Sequence, residues 1–171
     1  GVVRIVPNRG ARVTQLSVAE VRDIFEIRAA LTAVALRHLC TDAPKAEVRR
    51  LIDGIARLSE LAVNPDDGDE YLRQSVALAR LLAINSKNTR LREMILSLAR
   101  QTMRYTQLGL STHKRRLESS AIWRKAAAAI EAGDIAGASQ QILQLIYDSR
   151  DAAVAAIENN TDAGIPDWKR P

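Results

Sequence analysis

Apolar residues recur at spacings of three and four along most of this chain, the signature of helices that bury one face. Ser17 followed by Glu20 predicts an N-cap and capping box. From there Val21, Ile24, Phe25, Arg28, Leu31, Ala35 and Leu39 fall on one stripe, so a first helix is expected to run to about Thr41. Asp42-Ala43-Pro44 breaks it, and Pro44 suits the start of a second helix carrying Val48, Leu51, Ile55, Leu58 and Leu61. Asn64-Pro65-Asp66-Asp67-Gly68 reads as a loop. A third helix is expected over 69–85, with Leu72, Val76, Ala79 and Leu82 on its stripe. Asn88 can cap a fourth, which runs through Leu91, Ile95, Leu98 and Met103 to about Leu110. A fifth begins at Ser111-Thr112 and stops at Gly133, and Asp134 caps a sixth that holds Ala138, Ile142, Leu145, Val154 and Ile157. Before all of these, Val2-Val3, Ile5-Val6 and Val13 flank the turn signal Pro7-Asn8-Arg9-Gly10, as in a short β-ribbon. The fold class expected is therefore all-α, an antiparallel bundle of about six helices with a short N-terminal β-ribbon.

Composition sharpens this picture. At 171 residues the chain suits one domain with a substantial core. Hydrophobic residues make up 47% but aromatics only 4%, and this Ala- and Leu-rich apolar mass favours helix over sheet. No run approaches the length of a membrane span, so membrane association is not expected. The single cysteine, Cys40, has no partner for an internal disulfide and fits a reducing, cytoplasmic setting. The net charge of +5 is spread over clusters such as Arg49-Arg50 and Lys114-Arg115-Arg116, which read as solvated helix faces.

Several marks resemble, in order, those of GntR-family transcription regulators of the FadR subgroup. They are the ribbon end Pro7-Asn8-Arg9-Gly10-Ala11, the helix run from Val21 to Leu31, Asn88 with Leu91, and Ala129-Ile130-Glu131-Ala132-Gly133-Asp134 with Ala138 beyond. The resemblance implies an effector-binding domain of the FCD type, preceded by a winged-helix DNA reader absent from this chain. It divides the chain into 1–14, the end of the wing; 15–158, an effector-binding and dimerisation domain; and 159–171, a loose tail. It also implies a homodimer, a small-molecule effector and DNA as partners.

Many members of that family hold a metal through an Asp and a His at i, i+4 and two later histidines. The family spacing puts those positions at Ser75, Ala79, Trp123 and Leu145, none a usual metal ligand. The two histidines, His38 and His113, lie elsewhere and read as rim residues. Neither a metal nor another cofactor is expected. A drier cavity lined by Leu78, Leu82, Trp123, Ile142 and Leu145 is expected in its place, suited to an organic acid or acyl-type molecule. Arg28 is singled out because a charge on an apolar stripe is costly unless paired, and a guanidinium fits a carboxylate. The resemblance implies that it faces the effector; an ion pair with Asp148, or with Glu26 of a neighbouring subunit, is the alternative. Arg100, Arg104 and Tyr105 are candidates for further polar contacts. The expected effector set is Arg28, Leu78, Ala79, Leu82, Arg104, Tyr105, Trp123 and Leu145.

The chain carries no phosphate loop, no nucleophile elbow, no zinc-protease motif and no paired cysteines, so an enzyme is not expected. Two functional classes stay open. One is the ligand-sensing, dimerising domain of a DNA-binding regulator. The other is a helical interaction module whose core is filled by Trp123 and which takes no small molecule.

Overall fold

The structure, a computed structural model, describes residues 3–6, 10–13 and 16–162, with side chains over 16–159. Six helices account for most of it: α1 (Val18–Asp42), α2 (Lys45–Val63), α3 (Gly68–Ile84), α4 (Thr89–Gly109), α5 (His113–Glu131) and α6 (Ile135–Asp162). Ahead of them β1 (Val3–Val6) and β2 (Gly10–Val13) pair antiparallel, with Val3 opposite Val13 and Val6 opposite Gly10. The expected turn residues Pro7, Asn8 and Arg9 lie outside the described residues, as does most of the expected tail. Helix α6 continues to Asp162, past the end expected near residue 158.

The helix boundaries follow local chemistry. Ser17 Oγ accepts from the Glu20 backbone N–H, and the Glu20 carboxylate accepts from the Ser17 N–H at 2.8 Å, closing the capping box. Asn88 Oδ1 accepts from Leu91 N at 3.0 Å, Thr112 Oγ1 from Arg115 N at 3.2 Å, and Asp134 Oδ1 from Gly137 N at 2.8 Å. Each satisfies a donor that the first helical turn leaves without a partner. Gly133 has φ of 76°, the left-handed conformation that lets α5 end and α6 begin within a few residues.

Packing centres on α6, which lies against α1, α4 and α5; α2 packs on α5 and α3. Phe25, Leu36, Leu39, Leu51, Leu58, Leu82 and Ile142 are almost wholly buried in one continuous core. Truncating any such leucine to alanine costs about 2–5 kcal/mol. Helices α4 and α6 meet closely at Gly109, where an added Cβ would lie 2.5 Å from the Ser149 carbonyl oxygen. Helices α2 and α3 meet at Gly54, which leaves room for Leu78.

One basic residue expected on a solvated face is buried. Arg116 is 5% exposed, and its guanidinium donates to the carbonyl oxygens of Pro65 at 2.7 Å and Ser111 at 3.2 Å. It ties the start of α5 to the turn before α3 through backbone acceptors rather than a carboxylate. Among the described residues no helix is long and apolar enough to cross a membrane.

Candidate functional site

A cavity of about 360 Å³ lies among α1, α3, α4, α5 and α6. Its buried wall is mostly apolar: Leu82, Ile95, Trp123, Ile142, Leu145 and Ile146 line it, placed there by the stripes of α3 to α6. Its exposed lining residues, Arg80, Arg100 and Met103, stand on α3 and α4, so the chamber opens between those two helices. Trp123 is 3% exposed and forms one side of this space.

The polar lining is one-sided in charge. Arg28, Arg80 and Arg100 contribute to it; among the described residues no aspartate or glutamate does. Arg28 is only partly exposed. Its Nη1 donates to Thr102 Oγ1 at 2.9 Å and Thr106 Oγ1 at 3.0 Å, and its guanidinium carbon sits 5.2 Å from the centre of the Phe25 ring. Hydroxyls and a ring face orient the cation but do not neutralise it. Burial pulls its pKa from 12.5 down to about 10. Asp148, weighed as an ion-pair partner, instead accepts a hydrogen bond from Gln144.

Among the described residues, two lining side chains carry a buried polar atom without a hydrogen-bond partner, Trp123 at its indole Nε1 and Ser149 at Oγ. A buried donor left unmade costs about 1–3 kcal/mol. The cavity is apolar in bulk, with the free end of the partly buried Arg28 guanidinium among its few polar points.

Of the residues expected from the sequence, Arg28, Ala79, Leu82, Trp123 and Leu145 come together on this wall, as does Ile142. Three do not. Leu78 is turned toward α2, where its Cδ2 occupies the space over Gly54, because it falls on the other edge of the broad apolar face of α3. Arg104 is exposed on α4 and is not part of the lining. Tyr105 is buried, but its hydroxyl accepts from the Leu16 backbone N–H at 2.8 Å and so holds the segment leading into α1. The sequence reading passed over Thr106, Ser119 and Ser149; the available signal was a small hydroxyl at a position that the helical period makes internal.

The four positions where the resemblance puts metal ligands, Ser75, Ala79, Trp123 and Leu145, all line the cavity. They offer one hydroxyl, a methyl, an indole and an isobutyl group. That set does not fit a divalent cation, which needs imidazole, carboxylate or thiolate donors. His38 Nδ1 is hydrogen-bonded to Ser86 Oγ at 2.9 Å, and His113 Nε2 donates to the Ala62 carbonyl at 3.0 Å, both outside the lining. Among the described residues no group of three or more His, Cys, Asp or Glu side chains is placed to hold a metal.

Comparison with known proteins bears on this geometry. No curated protein matches the chain. A solved structure described as a transcriptional regulator (GntR family member) from Pseudomonas syringae pv. tomato str. DC3000 superposes with a TM-score of 0.69 at 15% identity. The match covers 96% of this chain and 68% of that one, and at this identity it speaks for the fold. The family model described as FCD domain matches residues 23–148, from the first turns of α1 to the middle of α6. This chain belongs to the FCD domain family.

Proposed function

We infer that this chain is the ligand-sensing domain of a bacterial DNA-binding transcription regulator of the GntR family, FadR subgroup. Its effector is a small organic acid or acyl-type molecule held in the bundle cavity without the metal that many relatives use. The observation that carries this reading is Arg28: a partly buried cation that, among the described residues, has no carboxylate partner and no acidic neighbour in the cavity wall. A ligand carboxylate would restore the missing countercharge. The helical bundle is the sensing and dimerising domain; the protein works as a cytoplasmic homodimer and meets DNA through a winged-helix domain outside this chain.

The geometry supports a transmission route. The hydroxyls that orient Arg28 belong to Thr102 and Thr106 on α4, and Tyr105 between them holds Leu16, a few residues after β2. A carboxylate that draws Arg28 toward itself loosens its bonds to α4, and α4 carries the contact with the N-terminal segment. Occupancy then shifts the population of helix arrangements and the spacing of two attached DNA readers. An open chamber beside Trp123 counts against the alternative of an interaction module with a filled core.

The test is a titration of the chain with a broad panel of carboxylic acids, read by tryptophan emission and by melting temperature. Binding by at least one acid, lost in Arg28→Met, is the expected result. Silence across the panel in both readouts would overturn the reading and favour the interaction module.

A further inference from the structure

On α3 and α4, Arg80, Arg92, Arg100 and Arg104 stand without an ion pair among the described residues, and of these Arg80 and Arg100 line the cavity. Exposed arginines of this protein are commonly paired within their own helix, as in Arg49 with Asp53, Arg57 with Glu60, Arg73 with Glu70 and Arg90 with Glu93. Arg80 has Val76, Ala77, Ala83 and Ile84 at the three- and four-residue spacings, and Arg100 has Leu96, Ser97, Met103 and Arg104. Neither sequence neighbourhood supplies a carboxylate, and neither arginine has a hydrogen bond or ion pair among the described residues. Both nonetheless line the same cavity, at its open side between α3 and α4.

Two cationic stations therefore flank one apolar interior. The inner station is Arg28, fixed to Thr102 and Thr106, with the unpartnered Ser149 hydroxyl on the same cavity wall. The outer station is Arg80 with Arg100. On α4, Arg100 precedes Thr102 by two residues and Thr106 by six, about 3 and 9 Å along the axis. The wall that both stations share includes Leu82, Ile95, Trp123 and Leu145. A molecule with one anionic end would leave the outer pair uncompensated, and a compact polyanion would leave the apolar wall unused.

We propose that the cavity takes a two-headed anion: one carboxylate at Arg28, an apolar spacer against Trp123 and Leu145, and a second anionic group at Arg80 and Arg100. This rests on the reading of the cavity as a carboxylate site and narrows its occupant to an amphipathic dianion, of which a linear dicarboxylate is the simplest representative. The mouth station works in partial solvent, so its contribution is modest and falls with salt.

Calorimetric titration of the whole chain with adipate, suberate and sebacate, beside hexanoate, octanoate and decanoate, tests this. The best diacid should bind about tenfold more tightly than the monoacid of equal carbon number at low salt, and this advantage should shrink at high salt. Arg80→Gln and Arg100→Gln should each weaken the diacid about threefold and leave the monoacid unchanged. Because both side chains are exposed, these variants should melt close to the parent, which separates lost binding from lost folding. Equal affinities for mono- and diacids, untouched by either variant, would overturn the two-headed assignment while leaving the sensing reading in place. Failure of every acid to bind would bring down both.

Discussion

Replacing Arg28 by methionine separates a ligand-binding cation from a structural one. The substitution keeps most of the side-chain volume and deletes the charge. The lost favourable terms are two hydrogen bonds from a charged donor, to Thr102 at 2.9 Å and Thr106 at 3.0 Å, and a ring contact with Phe25. Those bonds are worth about 1.5–3 kcal/mol each at most, and the ring contact about 0.5–1 kcal/mol. Against them stands the cost of holding the charge away from water. Burial moves the Arg28 pKa from 12.5 to about 10, which corresponds to about 3 kcal/mol. Thr102 keeps its own bond to the Leu98 carbonyl at 2.8 Å, so its hydroxyl is not orphaned. The cost offsets about half or more of the loss, leaving a net destabilisation of up to about 4 kcal/mol, so the ligand-free variant should melt up to about 15 °C below the parent, given 2–4 °C per kcal/mol for a domain of this size. Binding should respond differently. A charge-assisted pair with a carboxylate contributes on the order of 3 kcal/mol, so a carboxylate probe should bind Arg28→Met about a hundredfold more weakly. Differential scanning calorimetry and a binding titration on the same sample measure both. A lower melting temperature with affinity unchanged would refute the reasoning and make Arg28 a clamp between α1 and α4.

Other substitutions probe the frame around the cavity. Gly109→Ala puts a methyl 2.5 Å from the Ser149 carbonyl oxygen, and because that neighbour is backbone it should destabilise the domain by about 1–3 kcal/mol in urea unfolding. Tyr105→Phe removes the acceptor of the Leu16 N–H, so hydrogen exchange at Leu16 should speed up about fivefold. Carboxylate binding needs charged Arg28, whose folded-state pKa lies below its ordinary value. Both folded and unfolded forms are protonated below about pH 10, so affinity should be flat there and fall tenfold per unit as pH rises through about 10. An unchanged affinity above pH 11 would show that the cation binding the carboxylate is not the buried one.

The helices were legible because each starts and stops on local chemistry. Ser17 with Glu20, Asn88, and Gly133 with Asp134 name their roles by residue type and spacing alone. Much of the cavity wall was legible for a related reason: a residue fixed on a helix stripe must face the interior, and Leu82, Trp123, Ile142 and Leu145 do. What sequence could not separate is which neighbour an internal residue meets. The apolar face of α3 is broad enough to serve two partners, and Leu78 turned to α2 through the gap left by Gly54. Tyr105 is internal as its position predicts, but its hydroxyl reaches a backbone amide 89 residues away in sequence, a pairing set by tertiary packing. The basic run at Lys114-Arg115-Arg116 hid a buried guanidinium, because backbone acceptors leave no trace in residue identity. The mouth arginines were visible as residues; their shared position followed only once α3 and α4 were placed side by side.

The central claim, a cavity that takes an acidic guest beside Arg28, is tested most directly at the indole of Trp123, which lines the same space. In a nitrogen–proton correlation spectrum, assigned with Trp123→Phe, the indole resonance should move in saturable proportion to added suberate. A resonance that holds still while suberate reaches millimolar concentration would contradict the account.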